Sequence, residues 1–225
     1  MNQDNIWKYY QGDGIHNFDD HTPRLDYLFK KANQLLGRTP KNILNIGIGN
    51  GRIERNCLEN NLNIFSLDPT DYLSHEKVKS IKGKIEKLPF SNDKFDIIFC
   101  SEVLEHLTDI QLKDSIFEIE RVLIKNGILI GTVPNNEILF DNNIICPSCN
   151  HKFHRWGHHQ TFDKNTLSLI FEKNSFDIDI LKAKVFKDYS HRSLLNFLRY
   201  IVRVVFCFFN SSLIHSSIFF IFRKK

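Results

Sequence analysis

The sequence predicts an α/β fold in which a doubly wound, mostly parallel sheet of seven strands alternates with helices. Three observations predict it: short apolar runs recur at helical intervals, amphipathic stretches lie between them, and the first run ends in a glycine-rich turn. The first run, Asn42–Ile48 (NILNIGI), has the continuous apolar character of a strand buried on both faces. Asn63–Leu67, Val78–Ile81, Phe95–Cys100, Ile128–Val133, Phe176–Leu181 and Ser217–Phe222 follow as the remaining strands. Ile110–Lys125 places Ile116, Ile119, Val122 and Leu123 on one helical face, with Gly127 where a helix commonly stops.

A chain of 225 residues and 26.5 kDa fits one domain spanning 1–225. Two insertions stand out within it: a Cys/His-rich loop over 134–162 and an apolar helical stretch over 189–215 before the last strand. Hydrophobic residues at 42% and charged residues at 25% exclude a disordered, collagenous or polytopic membrane chain. A net charge of +4 is too mild to predict a nucleic-acid partner. The start MNQDNIWKYY shows no basic segment followed by an apolar run, so no signal peptide and a cytosolic location are expected. Five cysteines, of which only Cys146 and Cys149 are close together, suit a reducing compartment and a metal pair better than disulfides.

In an open parallel sheet, ligands bind outside the carboxyl ends of the strands. After the first strand comes Gly47-Ile48-Gly49-Asn50-Gly51, where glycines allow close backbone approach and the next helix offers free N–H groups. The dinucleotide fingerprint would require glycine at 52, where Arg52 stands, so a nicotinamide dinucleotide is not expected. Asp68 follows the second strand, about 20 residues past the turn, where a carboxylate can accept both hydroxyls of a ribose. A nucleoside that carries a carboxylate and no pyrophosphate fits both features.

The segments ILNIGIGNG, SLDP, KGKIEKLPFSNDKFDIIFCSEVLEHL and RVLIKNGILIGTVPN, in this order and separation, resemble the motifs of class I S-adenosylmethionine-dependent methyltransferases. The resemblance runs from about Arg24 to Leu181 and implies a Rossmann-like methyltransferase fold. It implies that Gly47, Gly49 and Gly51 line the methionine half of the cofactor, that Asp68 holds the ribose, and that the Ile85 backbone meets adenine. Two positions depart from the pattern. Asn45 replaces an acid usual in the first motif, and Lys84 stands where an acid often meets the adenine amino group.

Glu102, Glu105 and His106 form E-x-x-E-H after the fourth strand; on a helical turn they would share one face. Two carboxylates and an imidazole there can bind a hard divalent ion or serve as a base with its orienting acid. The motif resembles two O-methyltransferase groups in which it binds a divalent metal: the ubiquinone-pathway enzymes and the small-RNA 2′-O-methyltransferases. His21-Thr22-Pro23-Arg24-Leu25-Asp26-Tyr27-Leu28 is similar to a segment of the ubiquinone-pathway enzymes in which the arginine meets the cofactor carboxylate, which implies that role for Arg24. Likeness to the small-RNA enzymes makes His158 the fourth ligand beside Glu102, Glu105 and His106, a set that suits Mg²⁺, Mn²⁺ or Fe²⁺.

Cys146-Pro147-Ser148-Cys149 followed by His154 and by His158 or His159 has the spacing of a zinc knuckle. A structural zinc there would pin the long loop over the active site. Since His158 cannot serve two metals, His159 or His151 becomes the fourth zinc ligand. From 194 to 209 an apolar run carries Asn196, Arg199 and Arg203 on one stripe, and it is shorter than a membrane span requires. It reads either as a helix lying at a membrane's inner face or as one buried against the sheet or a second subunit.

The expected activity is methyl transfer from S-adenosylmethionine to an oxygen of a small molecule, lipid-linked intermediate or saccharide, assisted by a divalent ion. Two other readings stay open. One is a metal-free methyltransferase with His106 as base; the other is a scaffold whose zinc knuckle grips single-stranded RNA. The chain lacks the dense basic and aromatic interleaving of the last, so nucleic acid is the less expected partner.

Overall fold

The computed structural model describes Ile6, Tyr9 and residues 22–70, 78–186, 200–205 and 216–225. Helix α1 (Thr22–Leu36) leads into β1 (Ile43–Ile46), α2 (Arg52–Glu59), β2 (Ile64–Asp68), β3 (Lys79–Lys82) and β4 (Phe95–Ser101). Then come a 3₁₀ turn (Leu104–His106), α3 (Asp109–Val122), β5 (Leu123–Pro134), a second 3₁₀ turn (Leu139–Asn142), and the short hairpin β6 (Asn143–Ile145) and β7 (Lys152–His154). Helix α4 (Lys164–Glu172) and strands β8 (Phe176–Lys184) and β9 (Ser217–Lys224) complete the described chain.

The seven main strands form one sheet in the order β3-β2-β1-β4-β5-β9-β8. All are parallel except β9, which runs antiparallel between β5 and β8. This is the expected doubly wound sheet with its seven strands. Side chains alternate across it, as the two-residue strand period requires. Leu44, Ile98 and Leu129 pack with Ile116 and Ile119 of α3 and Phe171 of α4; Ile43, Ile97 and Ile128 pack with Leu28 of α1 and Ile53 of α2. Phenylalanine fills the far side of the sheet. The Phe171 and Phe222 rings stack 4.2 Å apart, and Phe220 stacks on Phe222 at 5.0 Å.

Helix α3 begins in a capping box between Thr108 and Gln111 and ends at Val122, earlier than a glycine stop at Gly127 predicts. The carbonyls of Arg121 and Val122 accept instead from the N–H groups of Asp93 and Lys94, so the helix end is satisfied across the chain. Gly127 falls within β5, in the bulge between the Phe95↔Leu123 and Ile97↔Ile128 pairs. The same helix fixes the loop after β3: Leu88 N–H donates to Glu118, and Arg121 donates to the carbonyls of Leu88 and Phe90.

Of the predicted apolar helical insertion over 189–215 only 200–205 is described; it is helical, with Ile201, Val202 and Val205 about half exposed. The rest of 189–215, and His21, lie outside the described residues. Among the described residues no helix is long and apolar enough to cross a membrane.

Candidate active site

Gly47, Gly49 and Gly51 all take positive φ, at 80°, 55° and 72°, which glycine adopts at little cost. A Cβ on Gly47 would also stand 2.9 Å from Val103 Cγ2. The turn is tied to the next strand, since Gly47 N–H donates to the Leu67 carbonyl at 2.9 Å. Asp68, at the carboxyl end of β2 and almost fully buried, accepts from Ile48 N–H at 3.1 Å on Oδ2. Its Oδ1 accepts from the backbone and hydroxyl of Thr70, at 2.9 and 2.6 Å.

Asn45, which departs from the acid of the resembled motif, meets an acid from a different element. Its Nδ2 donates to Glu54 Oε1 of α2 at 2.8 Å, and Ser66 Oγ donates to the same oxygen at 2.7 Å. Burial pushes the Glu54 carboxyl above the usual range against the pull of those two hydrogen bonds.

The turn, Asp68 and Ile85 line a cavity of about 800 Å³, which is within the range of small-ligand sites. Arg24 lines it from the first turn of α1, with Nη1 3.5 Å from Glu102 and a buried Nε that lacks a hydrogen-bond partner. The far wall is built from Glu105, His106, Glu137 and His158.

The expected helical face of Glu102, Glu105 and His106 does not form. Glu102 takes φ 55°, the 3₁₀ turn begins only at Leu104, and the Glu102 carboxylate turns to Arg24. Glu105, His106 and His158 do converge, with one ligand atom of each within 4.8 Å of the others. Glu105 is fully buried, and neither carboxylate oxygen has a hydrogen-bond partner. Burial and the nearby Glu102 carboxylate hold it well above the ordinary carboxylate range. Burial and the neighbouring His158 push His106 well below the ordinary imidazole range, so it is neutral at pH 7. Its Nδ1 lies 3.4 Å from the Gly157 carbonyl, which selects the tautomer with the proton on Nδ1 and the lone pair on Nε2.

The Cys/His-rich insertion folds back on this turn. The Glu105 carbonyl accepts from His159 N–H at 2.7 Å and Gln160 N–H at 2.9 Å. The proposed zinc ligands Cys146, Cys149, His154 and His159 are not brought together, because β6 and β7 pair as a hairpin whose tip carries both cysteines. His154 lies opposite Asn143 at the hairpin base, three residues from the tip turn and so roughly 10 Å along the strand. There it contacts Glu137 rather than a thiol, with Nε2 3.3 Å from Oε1. Among the described residues neither cysteine joins a group of three metal-capable side chains.

Glu137, in the loop after β5, is the site residue that the sequence reading misses. Its Oε2 meets His158 Nδ1 at 2.5 Å, and its Oε1 accepts from Asn142 Nδ2 at 2.9 Å. Burial raises its affinity for a proton, but His158, His154 and Asn142 together outweigh this and hold the carboxyl below its usual range. Its signal was positional: an acid just past the carboxyl end of a central strand.

Residues 44–131 match the family described as methyltransferase domain. No curated protein matches the chain. Among solved structures, the 1,6-didemethyltoxoflavin-N1-methyltransferase of Burkholderia thailandensis, bound to 1,6-didemethyltoxoflavin and S-adenosylhomocysteine, superposes with a TM-score of 0.69 at 14% identity, covering 99% of this chain and 86% of that one. A putative methyltransferase of Haloferax volcanii, in complex with the Trm112 methyltransferase activator, gives 0.64 at 14% identity over 98% and 95%. A putative sarcosine dimethylglycine methyltransferase from Galdieria sulphuraria gives 0.63 at 14% identity over 90% and 86%. At such identities the likeness establishes the Rossmann-like methyltransferase fold. With the domain match, it supports a class I S-adenosylmethionine-dependent methyltransferase.

Proposed function

We propose that this chain methylates an oxygen of a diol- or catechol-like acceptor with S-adenosylmethionine, at a site where Glu105, His106 and His158 hold a divalent cation. The observation that carries the reading is the fully buried Glu105 carboxyl, with no hydrogen-bond partner, beside two imidazoles on the wall of the cavity that the glycine turn lines. A buried carboxylate left so is costly unless a cation or proton meets it. The donor set fits a divalent ion with affinity for imidazole, such as Mn²⁺, Fe²⁺ or Zn²⁺, better than Mg²⁺. Bound there, such an ion would lower the pKa of an acceptor hydroxyl.

The protein's own part is alignment. Methyl transfer from a sulfonium is an in-line displacement, so the rate depends on holding the acceptor oxygen, methyl carbon and sulfur near contact in one line. The glycine turn and Arg24 would fix the methionine end, with the orphaned Arg24 Nε suited to a carboxylate. Asp68 would take the ribose, whose hydroxyls must compete with that of Thr70 for Oδ1. The acceptor enters beside Val103, Trp156 and Ile138, and its variable part meets the insertion.

A second reading has its own observation. His106 is neutral, with its lone pair on Nε2, and could take the acceptor's proton without a cation. A lipid-linked or saccharide acceptor, and contact of 194–209 with a membrane's inner face, fit either mechanism.

Calorimetry with S-adenosylmethionine and its demethylated product tests the cofactor reading, and absence of binding would overturn it. Asp68→Ala should weaken binding by about 1.5–3 kcal/mol, the cost of losing hydrogen bonds to a charged acceptor. An unchanged affinity would remove Asp68 from the ribose site. Labelled cofactor offered with diols, catechols, phenols and amines then tests the acceptor class; methylation of amines alone would overturn oxygen transfer.

A further inference from the structure

Two triads of metal-capable side chains overlap at one ring: Glu105, His106 and His158, and Glu137, His154 and His158. The hydrogen bonds decide between them. His158 donates its backbone N–H to His154 Nδ1 at 3.1 Å, so that nitrogen holds a lone pair and the neutral His154 ring carries its proton on Nε2. A protonated Nε2 cannot ligate a cation. It faces Glu137 Oε1 at 3.3 Å, close but without hydrogen-bond alignment. A Glu137 carboxylate oxygen faces His158 Nδ1 at 2.5 Å and carboxylate oxygens accept, which puts the proton of this contact on Nδ1. That leaves Nε2 as the lone pair His158 can offer. His106 is set the same way, with Nδ1 toward the Gly157 carbonyl.

We propose that Glu137 is the positioning residue of a single cation centre: it fixes the tautomer and orientation of His158, while Asn142 holds Glu137 and His154 holds the His158 backbone. The second triad is therefore the hydrogen-bonded support of the first and holds no ion of its own. Carboxylates behind ligating histidines act in this way generally, raising the ring's basicity and holding it in aim. The inference rests on the metal-assisted reading above.

Titration of the full chain with Co²⁺, followed by its visible absorption, tests both. Wild type should bind one cobalt per chain. Glu137→Gln should keep that stoichiometry and the shape of the cobalt bands while weakening affinity about 10–100-fold. Asn142→Ala, which frees one carboxylate oxygen, should weaken it less. Glu105→Ala should change the band shape or abolish binding, as loss of a direct ligand does. S-adenosylmethionine affinity and thermal midpoint report on folding of each variant. Two cobalt ions per chain, a Glu137→Gln spectrum altered like that of Glu105→Ala, or unchanged affinity in Glu137→Gln would overturn the proposal and leave the metal reading standing. No cobalt binding by wild type would overturn the metal reading itself.

Discussion

Chelation of an active preparation should cut methyl transfer by roughly 100-fold or more, since a Lewis-acid cation contributes several kcal/mol to lowering such a barrier. Cofactor affinity should change less than about threefold, because the contacts expected to hold the cofactor are at the glycine turn, Arg24 and Asp68, and chelation spares all of them. Mn²⁺ should restore activity better than Mg²⁺, for the set that converges contains two imidazoles and one carboxylate now that Glu102 pairs with Arg24. The double variant Cys146→Ser, Cys149→Ser belongs in the same experiment: it should be inhibited like wild type, which separates the cation centre from any metal held at the hairpin tip. With His106 as a lone base, activity would survive chelation. It would then fall with pH only below the ordinary imidazole range, because burial lowers the pKa of His106 and keeps the ring neutral to lower pH. Full activity in a metal-depleted sample would rule out the assisted mechanism.

Gly131→Ala should be among the most damaging single substitutions in the chain. Gly131 lies in β5 between Cys100 of β4 and Phe220 of β9. A Cβ there would stand 1.7 Å from the Cys100 carbonyl oxygen and 2.7 Å from Phe220 Cζ. A backbone oxygen in a central ladder cannot swing aside as a long side chain can, so β4 and β5 would have to part. The expected loss is about 4 kcal/mol or more, a large share of the roughly 5–15 kcal/mol that holds a domain together. Gly37→Ala is the matched control. Unlike Gly131 it takes a positive φ, of 68°, but it has nothing within 4 Å of its added Cβ, so about 1–2 kcal/mol of backbone strain is the whole cost. Urea denaturation measures both, and equal midpoints for the two variants would show that β4 and β5 do not pair in this register.

Most of the sheet was legible because β1, β2, β4, β5 and β9 carry short apolar runs, and α3 between β4 and β5 an amphipathic one, periodicities that survive folding unchanged. The glycine turn and Asp68 were legible because both follow a strand directly, where the fold places ligands. What depended on local regularity failed where the backbone departs from it. Glu102 left the expected face because its φ of 55° breaks the helical spacing on which that face relied. His154 and the two cysteines have metal-like spacing, but spacing does not say where a hairpin turns, and this one carries both cysteines on its tip and His154 at its base. Glu137 reaches His158 21 positions along the chain, out through the β6–β7 hairpin and back, a contact that no period encodes.

The paired N–H groups of His159 and Gln160 on the Glu105 carbonyl join two parts of the chain that differ in what they resemble. The stretch that matches the methyltransferase domain ends at 131, and of the cavity wall assigned above to the acceptor, Ile138 and Trp156 come from the loop that begins after it. On the function proposed above, a graft that exchanged the loop while keeping Glu137, His158 and the return to Glu105 would leave the glycine turn and Asp68 untouched and alter the choice of acceptor. Drift in that loop is therefore the cheap evolutionary route to a new acceptor, and drift in the glycine turn a costly one.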